Sequence, residues 1–217
     1  MRFAPEGWPF IIPGWAAVVA GAWAAGRWGG GFWALEGVLV ALALWLLVFF
    51  RDPARAGPRG EHLIISPADG RIVSIAETDE PMFLQARATR ISIFMNVFDV
   101  HVNRYPVSGT VALVHYHPGK FLHAAHDKAS LENEQASVGL RAPGGPVLVR
   151  QIAGLVARRI VTDGQRGDRV QQAARMGMIR FGSRVDVFVP IAARPLVRVR
   201  EGERVTAGAT VLMELPQ

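Results

Sequence analysis

The stretch Met176-Gly-Met-Ile-Arg-Phe-Gly-Ser-Arg-Val-Asp-Val-Phe-Val-Pro190 is the most informative part of the sequence. Its second half alternates, with three valines on one face and Arg184, Asp186 and Phe188 on the other. A period of two residues predicts a β-strand. Ser183 shares the parity of the valines, so its hydroxyl is predicted to point into the apolar side of that strand.

The dipeptide Gly182-Ser183 has two interpretations. Glycine leaves its own carbonyl open to attack, and the neighbouring serine could attack it and convert the peptide bond into an ester. Elimination would then release the upstream chain, and hydrolysis of the resulting dehydroalanine would leave a pyruvoyl group at a new N-terminus. The alternative is a glycine bulge followed by an ordinary buried serine, which is common in strands.

The wider sequence resembles the phosphatidylserine decarboxylases, in particular the short form found in many bacteria and archaea. The matching blocks follow one another in family order from about residue 66 to the C-terminus. They are Ser66-Pro-Ala-Asp-Gly70, Phe94-Met-Asn-Val-Phe-Asp-Val-His-Val-Asn-Arg104, Tyr116-His-Pro-Gly-Lys120, Gln151-Ile-Ala-Gly-Leu-Val-Ala-Arg-Arg159 and Gly177-Met-Ile-Arg-Phe-Gly-Ser-Arg-Val-Asp-Val-Phe-Val-Pro190.

The resemblance implies self-cleavage between Gly182 and Ser183, giving a large chain of residues 1–182 and a small chain of residues 183–217. It also implies a pyruvoyl cofactor derived from Ser183, with no metal. The ketone would condense with the amine of phosphatidylserine and accept the electrons left as carbon dioxide departs, and the product would be phosphatidylethanolamine.

Self-cleavage needs a general base, and histidine is the natural candidate near neutral pH. His101 is selected because it lies in the family block 94–104, although a strand histidine by itself is more often structural. Asp69 matches the aspartate of the Asp-His-Ser relay in the longer form of the family, so it is predicted to pair with His101. The residues alone favour an Asp-Gly turn at this position.

Two further positions are predicted to contact the substrate. The longer form has a second histidine three residues after the first, and here Arg104 stands in its place. Three explanations are open. His101 could act as the base in self-cleavage and also transfer the protons of the substrate, or another histidine could take the place of the second one. Arg104 could instead bind the phosphate or carboxylate of the substrate. Asn133 and Glu134 fall in a family region rich in Asn and Glu and are predicted to face the site, the alternative being a solvated helix end.

Composition limits the partners. The 217 residues contain no cysteine, which excludes disulfides and thiolate metal sites. The formal charge is +6, and 22 of the 24 basic residues are arginines, whose planar groups suit lipid phosphates. A coding bias toward arginine would give the same count. The arginines are scattered, which argues against nucleic acid, and a homo-oligomer is left open.

The N-terminal region is predicted to form a helical membrane hairpin. Segments 8–25 and 32–50 are almost uncharged, and helices of these lengths reach roughly 27–29 Å, enough to cross a bilayer. Pro13 leaves a re-entrant hairpin open, and a cleaved signal peptide is a further alternative. The flanking arginines place both ends, and the domain that follows, on the cytoplasmic face of the cell (inner or plasma) membrane.

The predicted fold is mainly β (α+β), with this hairpin and its linker in residues 1–55 and a decarboxylase domain in residues 56–217. Short glycine-paced segments suggest a β-sandwich or barrel-sandwich core, and one helix is predicted at 121–133. The predicted strands cover residues 63–66, 71–75, 90–98, 109–114, 147–152, 184–189 and 196–199.

Three other functions also fit the sequence. Asp127-Lys128-Ala129 resembles the lysine turn that receives lipoate, so the domain could be a lipoyl or biotinyl carrier modified on Lys128. The chain could be a non-catalytic membrane scaffold. It could also be a pyruvoyl-dependent decarboxylase that acts on a free amino acid.

Overall fold

The computed structural model describes residues 2–119, 133–154, 159–180 and 183–216. The chain forms two compact units, residues 1–54 and residues 55–217. Gly182 and Lys128 lie outside the described residues, as does the predicted helix at 121–133 apart from its last residue.

The first unit is a helical hairpin, as predicted. Helix α1 runs over Trp8–Trp28 without a break at Pro13, and helix α2 over Phe32–Phe49. The turn between them begins at Gly29, whose φ of 64° favours glycine. Strands β1 (Arg2–Phe3) and β2 (Arg51–Asp52) pair antiparallel and tie the two ends of the hairpin together.

Both helices expose large apolar side chains along their length. The exposed set includes Ile12, Val19, Trp23, Val38, Leu42 and Val48. Both are long and apolar enough to cross a membrane. A helix that is apolar on all sides needs an apolar solvent or a protein cover, so the exposed side chains of this unit suggest an association with a membrane.

The second unit is mainly β, as predicted. Within the described residues its strands are β3 (Leu63–Ile65), β4 (Gly70–Glu80), β5 (Ala86–Met95), β6 (Val102–Arg104), β7 (Gly109–His117), β8 (Gln135–Ala142), β9 (Gly145–Ala153), β10 (Arg159–Thr162), β11 (Arg169–Val170), β12 (Arg175–Arg180), β13 (Ser183–Pro190), β14 (Leu196–Val197), β15 (Arg204–Val205) and β16 (Val211–Glu214).

A curled sheet of eight strands forms the body of this unit, in the order β11-β7-β8-β9-β13-β5-β4-β15. Its neighbouring strands are all antiparallel. Two three-stranded sheets accompany it, β10-β12-β6 and β14-β16-β3. Strand β13 lies in the middle of the large sheet, between β5 and β9, so the alternating segment that begins at Ser183 is the central strand of that sheet.

The alternation of β13 is confirmed. Val185, Val187 and Val189 are buried in the main core together with side chains of β5 and β9. The opposite face is buried as well, since Arg184 and Asp186 are almost inaccessible. Their side chains form a two-bond ion pair, with distances of 2.7 Å and 2.8 Å. A buried guanidinium is tolerated because its charge and its N–H donors have a carboxylate partner.

The predicted strand at 90–98 ends earlier, at Met95. A turn follows, in which the Asp99 carboxylate accepts a hydrogen bond from the Asn96 amide at 2.9 Å. The Asn96 side chain in turn accepts from the Phe98 amide at 2.8 Å. Short Asn and Asp side chains that bond nearby backbone amides favour turns over ladders. The chain therefore turns before His101, which is not part of β5.

Tyr105, which follows β6, gives this unit a predicted alkaline sensitivity. Burial raises the pKa of its hydroxyl, and the nearby carboxylates of Asp163 and Asp168 raise it further. In the unfolded chain the hydroxyl ionises near pH 10. The contribution of Tyr105 to stability is therefore complete below about pH 10 and is lost as the pH rises through the higher pKa of the folded state.

We expect Tyr105→Phe to remove this alkaline loss. Its hydroxyl has no hydrogen-bond partner among the described residues, so the variant should be at least as stable as the parent at pH 7. Urea unfolding at pH 7, 9, 10 and 11 measures both effects. Equal slopes of stability against pH for the two proteins would contradict the assignment to Tyr105.

Candidate active site

Ser183 begins β13 and is fully buried. Its backbone pairs with Met95 on β5 and with Ala153 on β9. Its hydroxyl points to the core side, as predicted, where Oγ lies 3.4 Å from the Met95 sulfur. A thioether is a weak acceptor, so this contact holds the hydroxyl in place at little cost to its reactivity.

His101 lies just before β6 and is also fully buried. Its backbone carbonyl accepts a hydrogen bond from the amide of Ile179, four residues before Ser183. Its Nδ1 lies 3.0 Å from the carbonyl oxygen of Asp99. A carbonyl oxygen only accepts, so Nδ1 carries the proton and the lone pair of the neutral ring is on Nε2. This is the tautomer that a general base requires.

Asp69 does not hydrogen bond to His101 in the structure. One of its carboxylate oxygens accepts from Arg55 at 2.6 Å, and the other accepts from the Ala207 amide at 2.8 Å. The orienting contact of His101 comes instead from the Asp99 carbonyl. The carboxylate of Asp99 is held by Arg204 at 2.6 Å. A role for Asp69 in self-cleavage stays a prediction, and it would require a rearrangement of these contacts.

Arg104 lies next to Asn103 on β6, and successive side chains of a strand point to opposite faces. Its guanidinium donates to the carbonyl oxygen of Ala173 at 3.1 Å. The Asn103 side chain, by contrast, faces the Met95 sulfur that also contacts Ser183. On β6 it is therefore Asn103 whose side chain shares a contact with Ser183, and substrate binding by Arg104 stays a prediction.

Asn133 and Glu134 reach the site through β9. Asn133 is fully buried, and its side chain donates to the carbonyl oxygen of Ala153 at 2.7 Å. The backbone carbonyl of Glu134 accepts from the Ala153 amide at 2.9 Å. Because Ala153 is the cross-strand partner of Ser183, both residues lie beside the reactive position. A contact with substrate stays a prediction for both.

Tyr116 is a further polar residue next to Glu134. Desolvation raises the pKa of its hydroxyl, and the charge of Glu134 and a hydrogen bond to that carboxylate raise it further. The hydroxyl therefore stays protonated at neutral pH and can act only as a hydrogen-bond donor to the carboxylate.

Sequence reasoning missed a buried polar network beside Ser183. Thr162 Oγ1 donates to Gln151 Oε1 at 3.2 Å, and Gln151 Nε2 donates to Asn103 Oδ1 at 2.8 Å. Asn103 Nδ2 lies 3.7 Å from the Met95 sulfur. Neutral amides are not typical catalytic residues, and Asn103 and Gln151 are 48 residues apart in sequence. The one signal in the sequence is that Gln151 has the same odd-numbered parity as the β9 residues of the main core, which places a polar side chain on the core face of that strand.

Comparison with known proteins identifies the family of the chain. The family model for phosphatidylserine decarboxylase matches residues 42–213. The chain belongs to the phosphatidylserine decarboxylase family. A relative from Symbiobacterium thermophilum, named phosphatidylserine decarboxylase proenzyme, is 48% identical over 215 residues, which are 99% of this chain and 96% of the relative.

Two other relatives carry the same name. The one from Ralstonia pickettii is 48% identical over 214 residues, with 98% of this chain and 95% of the relative covered. The one from Burkholderia mallei is 46% identical over 220 residues, with 99% and 95% covered. The word proenzyme in these names denotes precursors that are processed.

The surroundings of Ser183 in this decarboxylase-family chain fit a small ketone made from the serine itself. The position is buried, it has an apolar wall of core side chains, and the amide N–H group of Asn103 contacts the same Met95 sulfur as the Ser183 hydroxyl. Among the described residues, no three His, Asp or Glu side chains are grouped in a way that could hold a metal ion.

Proposed function

We propose that this chain decarboxylates phosphatidylserine to phosphatidylethanolamine and carbon dioxide, using a pyruvoyl group that it makes from its own Ser183. The observation that carries the proposal is a fully buried serine at the first position of the central strand, within a decarboxylase-family sequence. Its relatives are named proenzymes of phosphatidylserine decarboxylase, which supports both the substrate and the processing.

The proposed self-cleavage uses only groups of the chain. Ser183 Oγ attacks the carbonyl carbon of Gly182, its proton is taken up by Nε2 of His101 and passed to the amide nitrogen, and the C–N bond breaks to leave an ester. Loss of the Cα proton of residue 183 then breaks the Cβ–O bond and frees the carboxylate of Gly182. Water then adds to the resulting dehydroalanine and displaces its nitrogen, which leaves as ammonia. The product is the ketone.

The ketone supplies an electron sink for the pair of electrons left when carbon dioxide departs. The protein contributes orientation, exclusion of water and a proton. The burial of Ser183 and His101 supports the exclusion of water. The Nδ1 contact of His101 with the Asp99 carbonyl supports its use as the proton carrier, because it fixes the ring orientation and places the lone pair on Nε2.

Intact mass spectrometry of the purified protein tests the proposal. Two polypeptides are expected, one ending at Gly182 and one beginning at residue 183 with a blocked N-terminus. Activity in detergent should be seen with phosphatidylserine and be absent with free serine. A single uncut chain that is fully active would overturn the mechanism. Activity on free serine alone would overturn the substrate.

We also propose that the hairpin anchors the domain to the cell membrane, with the domain on the cytoplasmic face. The exposed apolar side chains of α1 and α2 support the anchor, and the arginines at 2, 51, 55 and 59 against one in the turn support the orientation. The acyl chains of the proposed substrate stay in the bilayer, so an anchored domain would meet them there.

Flotation with phosphatidylserine-containing vesicles tests the anchor. The full chain is expected to float with the vesicles and to resist extraction at high pH, whereas a chain that starts at Arg55 should stay in the aqueous fraction. Protease added outside right-side-out cell vesicles should leave the domain intact. Extraction of the full chain at high pH, or external cutting of the domain, would contradict the proposal.

A further inference from the structure

We propose that Asn103 is the hydrogen-bond donor for the side-chain oxygen of Ser183 during self-cleavage, and that Gln151 and Thr162 are positioning residues that hold its N–H group toward that oxygen. This inference rests on the proposed self-cleavage at Ser183. It assigns a role to three side chains from different strands that the proposed reaction has not yet used.

The direction of the network is fixed at the end nearest Ser183. The Met95 sulfur only accepts hydrogen bonds, so the Asn103 atom that faces it must be the N–H donor Nδ2. Asn103 Oδ1 then points away and accepts from Gln151 Nε2 at 2.8 Å. Gln151 Oε1 is left to accept the proton of Thr162 at 3.2 Å. Each amide therefore has one consistent orientation.

The network joins two sheets next to the reactive serine. Gln151 belongs to β9 of the large sheet, whereas Asn103 and Thr162 belong to β6 and β10 of the small one. Asn103 and Thr162 lie on either side of Gly177 in register across β12. Asn103 and Gln151 are fully buried. Buried amides must be hydrogen bonded, and here the bonding also selects which end of Asn103 faces the site.

Asn103 and Ser183 share one partner. Ser183 Oγ lies 3.4 Å from the Met95 sulfur and Asn103 Nδ2 lies 3.7 Å from it, so the two atoms can be at most 7.1 Å apart, the sum of the two distances. The bond of an amide to a thioether is weak. An oxygen that gains negative charge is a far better acceptor, so the N–H group should shift from sulfur to Ser183 Oγ as the hydroxyl gives up its proton.

The test follows the cleavage rate of full-length precursor made in a cell-free system with detergent micelles. Asn103→Leu keeps the number and branching of the side-chain heavy atoms but removes the donor, and it should slow cleavage by about 10²-fold, as loss of one preorganised donor does in other enzymes. Thr162→Val should have a smaller effect in the same direction. Gln172→Leu is the matched control, because it removes a part-buried amide with three hydrogen bonds elsewhere and should leave the rate unchanged.

Gln151→Glu separates positioning from simple structural support. A protonated Glu can still donate to Asn103 Oδ1 and accept from Thr162, whereas an ionised Glu has no donor and would turn the Asn103 amide round. The cleavage rate of this variant relative to the wild type should therefore fall as the pH rises. Gln151→Met lacks a titrating group, and its rate relative to the wild type should not depend on pH.

The inference fails if wild-type precursor cleaves and Asn103→Leu cleaves within twofold of it. It also fails if the pH profiles of Gln151→Glu and wild type are parallel. The proposed function would fail differently, through wild-type precursor that never cleaves although it decarboxylates phosphatidylserine. The cleavage rate needs no pyruvoyl-loaded enzyme, so the two failures are distinguishable.

Discussion

Ser183→Ala is expected to remain one uncut chain of 217 residues without detectable decarboxylase activity. The substitution removes the oxygen that would attack the preceding carbonyl, and neither the ester nor the ketone can then form. Folding should be preserved, because within the described residues the hydroxyl makes one weak contact, with the Met95 sulfur, and alanine is smaller than serine. Denaturing gels and intact mass measure the cleavage, and carbon dioxide release from labelled phosphatidylserine measures the activity.

A matched control is available on the neighbouring strand. Ser92 on β5 is fully buried, and its hydroxyl has no hydrogen-bond partner among the described residues. Ser92→Ala should therefore cleave at the wild-type rate and keep full activity. Cleavage of the Ser183→Ala chain at the same bond would contradict the serine mechanism, and so would loss of cleavage in both variants.

The strand that carries Ser183 could be predicted because its signal is local. The alternation of β13 and the parity of Ser183 follow from side-chain direction in any strand, and the structure confirms both. The two apolar helices could be predicted equally well, because composition and length alone indicate them. The two-residue period of the sequence could not show that the second face of β13 is buried as well. On that face Arg184 and Asp186 pair with each other.

The contacts within the site depend on pairings between distant parts of the chain, and sequence reasoning could not supply them. Analogy with the family pairs Asp69 with His101, but Arg55 and the amide of Ala207 bind the Asp69 carboxylate, and Ala207 is 138 residues away in sequence. The contact of His101 Nδ1 is with the carbonyl of Asp99, a backbone group to which no side-chain pattern points. The family resemblance could single out His101 as a candidate, because that resemblance depends on a whole block of residues and not on one contact.

Asn103 and Gln151 illustrate a different gap. Both stand in blocks that resemble the family, yet an amide has no charge or nucleophile that would single it out. Their importance emerges only when β6, β9 and β13 are placed together and one sulfur is seen to contact both Asn103 and Ser183. The register of the strands thus points to the Asn103 amide as a hydrogen-bond donor, which residue type alone does not indicate.

His101→Ala is expected to slow self-cleavage by about 10²–10⁴-fold, the range that general base catalysis contributes. The side chain is fully buried, so the variant leaves a cavity that can admit free imidazole. Added imidazole should restore part of the cleavage rate, and the restored rate should follow the concentration of neutral imidazole as the pH is raised through its pKa. A purely structural histidine would give a destabilised chain that imidazole does not rescue.

His115→Ala is the matched control for this prediction, because His115 lies on an exposed part of β7. It should cleave at the wild-type rate with or without imidazole. His101→Asn adds a second comparison, since asparagine can keep a donor toward the Asp99 carbonyl but cannot accept the proton. Cleavage of His101→Asn within a few fold of wild type would show that the ring is needed for position alone and would remove the base from the mechanism. Slow cleavage in His101→Asn together with imidazole rescue of His101→Ala would leave proton transfer as the role of His101.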